Sequence, residues 1–280
     1  MNQLEIILSC FTFSFLIALC SLVFTRKIQL TLPFFAVYSC VLLSCMTGVW
    51  LIYQHFGFYS LTSYYAYWGS LLLNATARSL AIAELCRYGL RAYRGIWALV
   101  WRVLAGMSVL LVVRTGIDAS GQPNRIAIYG TTIDRDLAMA SIIVLVVLLL
   151  FRNYYGIALE PLQRSIAAGI CFICVVDVIG NTILRNIFTG YLLTFFLTNQ
   201  TALWSALTPQ LDLVRDVWNT IHLLSFMFSV GIWCFALRKP LPAPAEAPVL
   251  LPVEVYREMS PAINLRLTTF NDRLVELLKP

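Results

Sequence analysis

The sequence predicts an all-α polytopic membrane protein with seven transmembrane helices, its N-terminus outside and its C-terminus in the cytoplasm. Three observations carry that expectation. Hydrophobic residues make up 60% of the 280-residue chain, only 12% are charged, and the mean hydropathy is +0.79, well outside the range of an ordinary soluble domain. Seven apolar runs approach or exceed the roughly 20 residues that a helix needs to cross a hydrocarbon core of about 30 Å. Lys and Arg in the short loops fall on one side, as they do when basic residues are retained in the cytoplasm during insertion.

The first run, 5–24, ends in "FTRK", so Arg26 and Lys27 mark its cytoplasmic end. "MNQLE" before it has no basic residue, which argues against a cleaved signal peptide and for an outward N-terminus. The second run, 30–53, leads outward to "HFGFYSLTS", a stretch without Lys or Arg. Tyr53, Tyr59, Tyr64, Tyr65, Tyr67 and Trp68 cluster there, as expected of an interfacial aromatic belt. The third run, 63–86, carries Asn74 and Arg78 in its middle and ends in "AELCRYGLRAYRGI". In that segment Glu84, Arg87 and Arg91 read as a cytoplasmic anchor, with Arg87 at i+3 able to neutralise Glu84. A carboxylate at this level could also close a cytoplasmic gate.

The fourth run spans 96–114, and an Asp/Arg-mixed outer loop is expected from Gly116 to Asp136. The fifth, 137–151, is short and continues to about Tyr155; Arg152 and Arg164 bracket the cytoplasmic loop after it. The sixth, 165–187, contains "CVVDVIGNTILRN", in which Asp177, Asn181 and Arg185 recur every four residues. That spacing puts all three on one helix face, a polar stripe that lipid would not tolerate. The seventh, 212–237, ends at Arg238 and Lys239 and holds His222 at a depth similar to that of Asp177.

Ionisable groups inside a bilayer are costly and normally face other helices or a wet cavity. The stripe is therefore expected to face spans three and seven. Asn74, Arg78, Asp177, Asn181 and His222 would form a candidate ligand or ion cluster. Arg185, Asp216 and Asn219 would form an outer polar layer, with Arg215 and Asp212 at the rim. Two readings compete: a satisfied Arg–Asp pair that fixes helix packing, and a ligand or ion site reached from outside.

The formal net charge of +6 reflects cytoplasmic anchoring residues, and no basic stretch interleaved with exposed aromatics suggests nucleic acid as a partner. Of the eight cysteines, Cys10, Cys20, Cys40, Cys45, Cys171, Cys174 and Cys234 lie within runs and Cys86 at a run's end, which fits packing and not a disulfide framework. Cys171 and Cys174 make a CxxC, but no second CxxC or nearby His accompanies it, so no metal site is assigned. His55 and His222 are the two histidines, too few for two bis-His haems, and His55 lies outside a run. H-E-x-x-H, G-x-S-x-G, phosphate-loop and dinucleotide fingerprints are missing from the sequence, so no catalytic residue and no cofactor are assigned.

Residues 1–239 form the membrane domain. "KPLPAPAEAPVLLP" makes 240–252 a Pro/Ala-rich linker. In 253–280, Ser260 is a plausible N-cap and Pro261 the first helical residue. Ile263, Leu267, Phe270, Leu274 and Leu277 follow as a heptad seam on a cytoplasmic amphipathic helix. So short a helix is marginal alone and should dock on its own membrane domain, the bilayer, a protein partner or a second copy.

Several segments resemble an uncharacterised family of bacterial seven-helix membrane proteins with no assigned activity. The residues that carry the likeness are "YYAYWGSLLLNATARSLAIAELCRYGLRAYRGI", "LLLFRNYYGIALEPLQRSIAAGI", "VWNTIHLLSFMFSVGIWCFAL" and "TFNDRLVELL", with Glu84, Arg87 and Gly95 matching the pattern after span three. The resemblance implies the seven-helix topology and a bacterial inner (cytoplasmic) membrane, and implies no mechanism.

The leading functional expectation is a non-enzymatic membrane sensor or protein-interaction module. The alternative is a small-solute or proton-coupled transporter using Asp177 and His222, with Arg78 attracting anions. The lack of an internal repeat weakens the alternative. An intramembrane enzyme is a third class, disfavoured by the missing motifs.

Overall fold

The computed structural model describes residues 3–57, 60–90, 94–120, 125–155, 159–198 and 201–238, together with Thr269, Asp272, Arg273 and Glu276. Among these residues the chain is all-helical: α1 (Gln3–Thr25), α2 (Ile28–Thr31), α3 (Pro33–Phe56), α4 (Leu61–Gly89), α5 (Arg94–Ser120), α6 (Arg125–Tyr155), α7 (Pro161–Thr198) and α8 (Thr201–Arg238). Five helices hold a stretch long and apolar enough to cross a membrane: Ile6–Thr25, Pro33–Phe56, Trp97–Ile117, Pro161–Ile183 and Asn219–Arg238. The remaining long helices, α4 and α6, are the third and fifth expected spans. They have the length but carry more charge, with Arg78, Glu84 and Arg87 in α4 and Asp134, Arg135 and Asp136 in α6.

Local chemistry sets the helix boundaries. Lys27 adopts a left-handed conformation (φ 55°) between α1 and α2. Pro33 opens α3, where a missing N–H costs nothing. The next two amides, of Phe34 and Phe35, donate to the Glu84 carboxylate at 3.1 and 2.9 Å. Gly57, at φ 77°, ends α3 in a conformation that a side chain would strain. Ser60 then caps α4 by accepting from the Ser63 amide at 3.1 Å.

The helices pack as a closed ring in the order α1, α3, α4, α6, α7, α8 and back to α1. Across the ring α4 also touches α7, while α5 lies outside it, mainly against α6. Val103, Met107, Val109, Leu110, Val113 and Ile117 of α5 are accordingly exposed. Arg26 donates to the Arg238 carbonyl (3.1 Å) and Tyr88 to Glu160 (3.1 Å). With the Glu84 contacts, these gather the ends of α1, α4 and α8 and the starts of α3 and α7 at one end of the bundle. Arg26, Arg87, Arg164 and Arg238 collect there.

Three expected ranges are corrected. The loop expected from Gly116 to Asp136 is mostly helix, because α5 continues to Ser120 and α6 starts at Arg125. Within that stretch of α6, Thr132 and Asp134 are polar yet buried, with buried Ile133 between them. Helices α7 and α8 also outrun the expected 165–187 and 212–237. At 38 residues each, they are about 57 Å long at ~1.5 Å per residue, against a hydrocarbon core of about 30 Å. The sequence between those two runs holds one glycine, Gly190 in α7, and one proline, Pro209 in α8.

α7 and α8 form an antiparallel hairpin. The contacts Trp233–Ile166, Ser229–Gly169 and His222–Asp177 each join residues about equally far from positions 199–200. Trp233 Nε1 donates to the Ile166 carbonyl at 3.3 Å, its ring lies against Gly169, and Phe35 and Tyr38 meet it edge-on. The linker 240–252 and the heptad seam of Ile263, Leu267, Phe270, Leu274 and Leu277 lie outside the described residues.

Candidate intramembrane polar site

Arg78 sits on α4 among Ala75, Ala77 and Ala81, all buried. Small neighbours let adjoining helices approach closely, so the guanidinium can reach across instead of snorkelling. Its Nη1 donates to Asp177 Oδ2 on α7, and its Nη2 donates to Asp134 Oδ1 on α6 at 2.8 Å. Asn181, one turn beyond Asp177, donates from Nδ2 to Asp134 Oδ2 at 3.0 Å. His222 Nδ1 on α8 lies 3.3 Å from Asp177 Oδ1.

The geometry uses every carboxylate oxygen. Each aspartate gives one oxygen to Arg78 and the other to a second partner, Asn181 for Asp134 and His222 for Asp177. Four consecutive positions around two-thirds of the ring, α4, α6, α7 and α8, are tied by one connected network. A single arginine bridging two carboxylates from different helices is a latch: moving any of the three helices breaks a charged hydrogen bond in a poorly solvated place.

Exposure is uneven within the network. The side chains of Arg78, Asp134 and Asp177 are 6%, 10% and 7% exposed, whereas that of His222 is 43% exposed. Among the buried side-chain atoms without a hydrogen-bond partner are Arg78 Nε and Asn74 Oδ1. They lie one turn apart on α4, one a donor and the other an acceptor. Tyr38 and Tyr67 lie within electrostatic range of both aspartates.

Of the residues singled out in the sequence, the structure brings Arg78, Asp177, Asn181 and His222 into one connected group, with Asn74 a turn from Arg78. The stripe on α7 faces α4 and α8 through Asp177 and also α6 through Asn181. The side chains of Arg185 and Asp216, and all of Arg91, lie outside the described residues. Asn219 is exposed on α8. Glu84 caps α3, and Arg87 is exposed beside the same end. All eight cysteines are free thiols. Among the described residues no group of His, Cys, Asp and Glu has the arrangement of a metal site.

Asp134 is the member that sequence reasoning missed. A hydropathy scan begins the fifth run at 137 and leaves Asp134 in a loop. The signal lies in periodicity: Asp134, Ala138, Ser141, Leu145 and Leu148 follow spacings of four, three, four and three, and all are buried. Extending that inward stripe one turn upstream reaches the carboxylate.

No protein-family model matches the chain, and no curated protein or solved structure matches it either.

Proposed function

We propose that this chain is a non-enzymatic integral membrane protein of seven spans that acts as a sensor or interaction module, its network acting as a latch between helices. The observation that carries this reading is the double engagement of Arg78, each terminal nitrogen being held by a carboxylate from a different helix. An arginine so occupied is poorly placed to attract a solute anion, and well placed to hold two arrangements of helices apart in energy.

The five strongly apolar helices are joined in the membrane by α4 and α6, whose charges meet each other inside the bundle and not lipid. The basic end faces the cytoplasm, by the retention of Lys and Arg on that side. The N-terminus is then outward and the linker after Arg238 is cytoplasmic. The α7–α8 hairpin, longer than the bilayer is thick, extends outward from the latch. A stimulus at the hairpin could thereby reach the C-terminal helix, whose seam would hold a protein partner or a second copy.

The test is affinity purification in mild detergent of the full chain and of a chain ended after Lys239. A stoichiometric protein that co-purifies with the first and is lost from the second is expected. If both come out alone and monomeric, the interaction reading is wrong.

The half-exposed His222 against Asp177 favours a second reading, a proton-coupled transporter. Solute flux in proteoliposomes that disappears in Asp177→Asn would favour it over the first.

A further inference from the structure

We propose that the junction of α1, α2 and α8 is a binding site for an anionic phospholipid, whose phosphate is held by Arg26, Lys27 and Arg238 while its acyl chains lie along the apolar side chains beside them. The inference rests on the chain's spanning a membrane and is independent of the latch.

The three cations come together where α1 and α8 end. Arg26 reaches across to α8 and donates from Nη2 to the Arg238 carbonyl at 3.1 Å. That bond holds the guanidinium beside the end of α8 and uses one of its five donors, and the planar fork suits an oxyanion with the rest. Lys27 follows directly. Its φ of 55° makes it the one non-glycine residue with a positive φ among those described. Glycine or asparagine suits that conformation better, so a lysine stands there against local preference, which a role for its ammonium explains. Arg26, Lys27 and Arg238 are all exposed.

Charge counting then calls for an anion. α1 and α8 each end here with about half a negative charge from their backbone dipoles, so three cations leave this corner at about +2. The carboxylates at the same end of the bundle are engaged elsewhere. Glu84 accepts from the Phe34 and Phe35 amides, and Glu160 accepts from the Tyr88 hydroxyl.

The apolar neighbours identify the anion as a lipid. Phe24 on α1, Leu30 on α2 and Phe235 on α8 each lie within three residues of one of the cations and are 52%, 76% and 63% exposed. α2 is a single turn between two long helices, with Ile28 buried and Leu30 outward. Cations beside exposed apolar side chains match the two chemistries of a phospholipid, a phosphate and the chains attached to it. Inorganic phosphate would use the first and leave the second uncovered. A zwitterionic headgroup would bring its own cation toward three others, so the site prefers a lipid of net negative charge.

The test places the full chain in nanodiscs of equal parts phosphatidylglycerol and phosphatidylcholine and counts, by native mass spectrometry, the lipids that stay with it on release. The expected result is retained lipid richer in phosphatidylglycerol than the nanodisc itself. Arg26→Gln and Arg238→Gln should each lower that preference about fivefold, the contribution of one basic side chain near an anionic surface. Arg238→Gln leaves the Arg26–carbonyl bond in place and keeps the test readable should Arg26→Gln fold poorly. Arg87→Gln removes an exposed cation of the same end that lies on α4, and should leave the preference unchanged. Retained lipid that mirrors the nanodisc overturns the proposal, as does a loss in Arg87→Gln equal to that in Arg238→Gln. Displacement of the lipid by inorganic phosphate at constant ionic strength would assign the site to a free anion and overturn it too. Enrichment confined to a chain ended after Lys239 would make the protein's own C-terminal segment the occupant, with the same consequence. Each readout is independent of whether a protein partner co-purifies.

Discussion

At the residue scale, the most informative groups are those whose bonding partners come from elsewhere in the fold. Glu84 is one. It sits in a basic segment, where Arg87 is its obvious neighbour, yet its two oxygens accept from the first free amides of α3. Those amides have no intrahelical acceptor, and the positive end of the helix dipole adds to the attraction. Glu84→Gln keeps one acceptor without the charge, and should cost about 1 kcal/mol. Glu84→Ala removes both bonds and should cost roughly 2 kcal/mol or more. Thermal unfolding in detergent should rank wild type above Gln and Gln above Ala; equal melting of all three would remove the capping role. Arg78, Asp177 and His222 were legible in sequence because an ionisable group inside an apolar run is conspicuous. Asp134 was not, because Asp136 and Arg135 beside it made the whole stretch resemble a loop. The partners of Glu84 were illegible for a different reason, since nothing local indicates which helix start will lie nearby.

At the element scale, the α7–α8 hairpin depends on close approach at Gly169. A Cβ there would collide with Nε1 and Cε2 of Trp233, which is wholly buried and held by Phe35 and Tyr38 from α3. The indole has little room to retreat, so Gly169→Ala should destabilise by about 1–3 kcal/mol, the usual range for overpacking. Gly231 on α8 has nothing within 4 Å of the same virtual atom. Gly231→Ala should therefore leave stability unchanged or raise it by up to about 1 kcal/mol. Chemical unfolding of the two variants side by side measures the difference; similar behaviour would mean that the interface is looser than described. The long helices were legible from apolar runs, but the short α2 and the helix ends were not. α6 begins twelve residues earlier than its apolar run and α7 and α8 continue past theirs. Hydropathy reports where lipid is tolerated, and a helix continues wherever protein partners satisfy its polar side chains.

At the scale of the whole molecule, the ring order and the place of α5 outside it were beyond the reach of sequence. A lipid-facing helix and a ring helix can have similar composition, and the apolar face of α5 differs from α1 only in what stands beside it. The chain of cause runs from small residues on α4, through close packing of α6 and α7, to an arginine that bridges them, and on to the half-exposed His222. The polar network is expensive for stability, and that expense is the reason to assign it a role. Removing one partner of a buried charged set leaves uncompensated charge, whereas replacing the whole set with apolar residues is often neutral or stabilising.

The most direct measurement of the central claim is therefore a comparison of Arg78→Met with the triple variant Arg78→Met, Asp134→Leu, Asp177→Leu, each assayed for unfolding in detergent and for partner recovery by the full chain. The account predicts that Arg78→Met alone costs about 3–5 kcal/mol. It predicts that the triple variant regains most of that stability and still fails to hold its partner, because the latch is gone from an intact bundle. A triple variant at least as unstable as the summed single substitutions, or one that is stable and holds its partner as the wild type does, would contradict it.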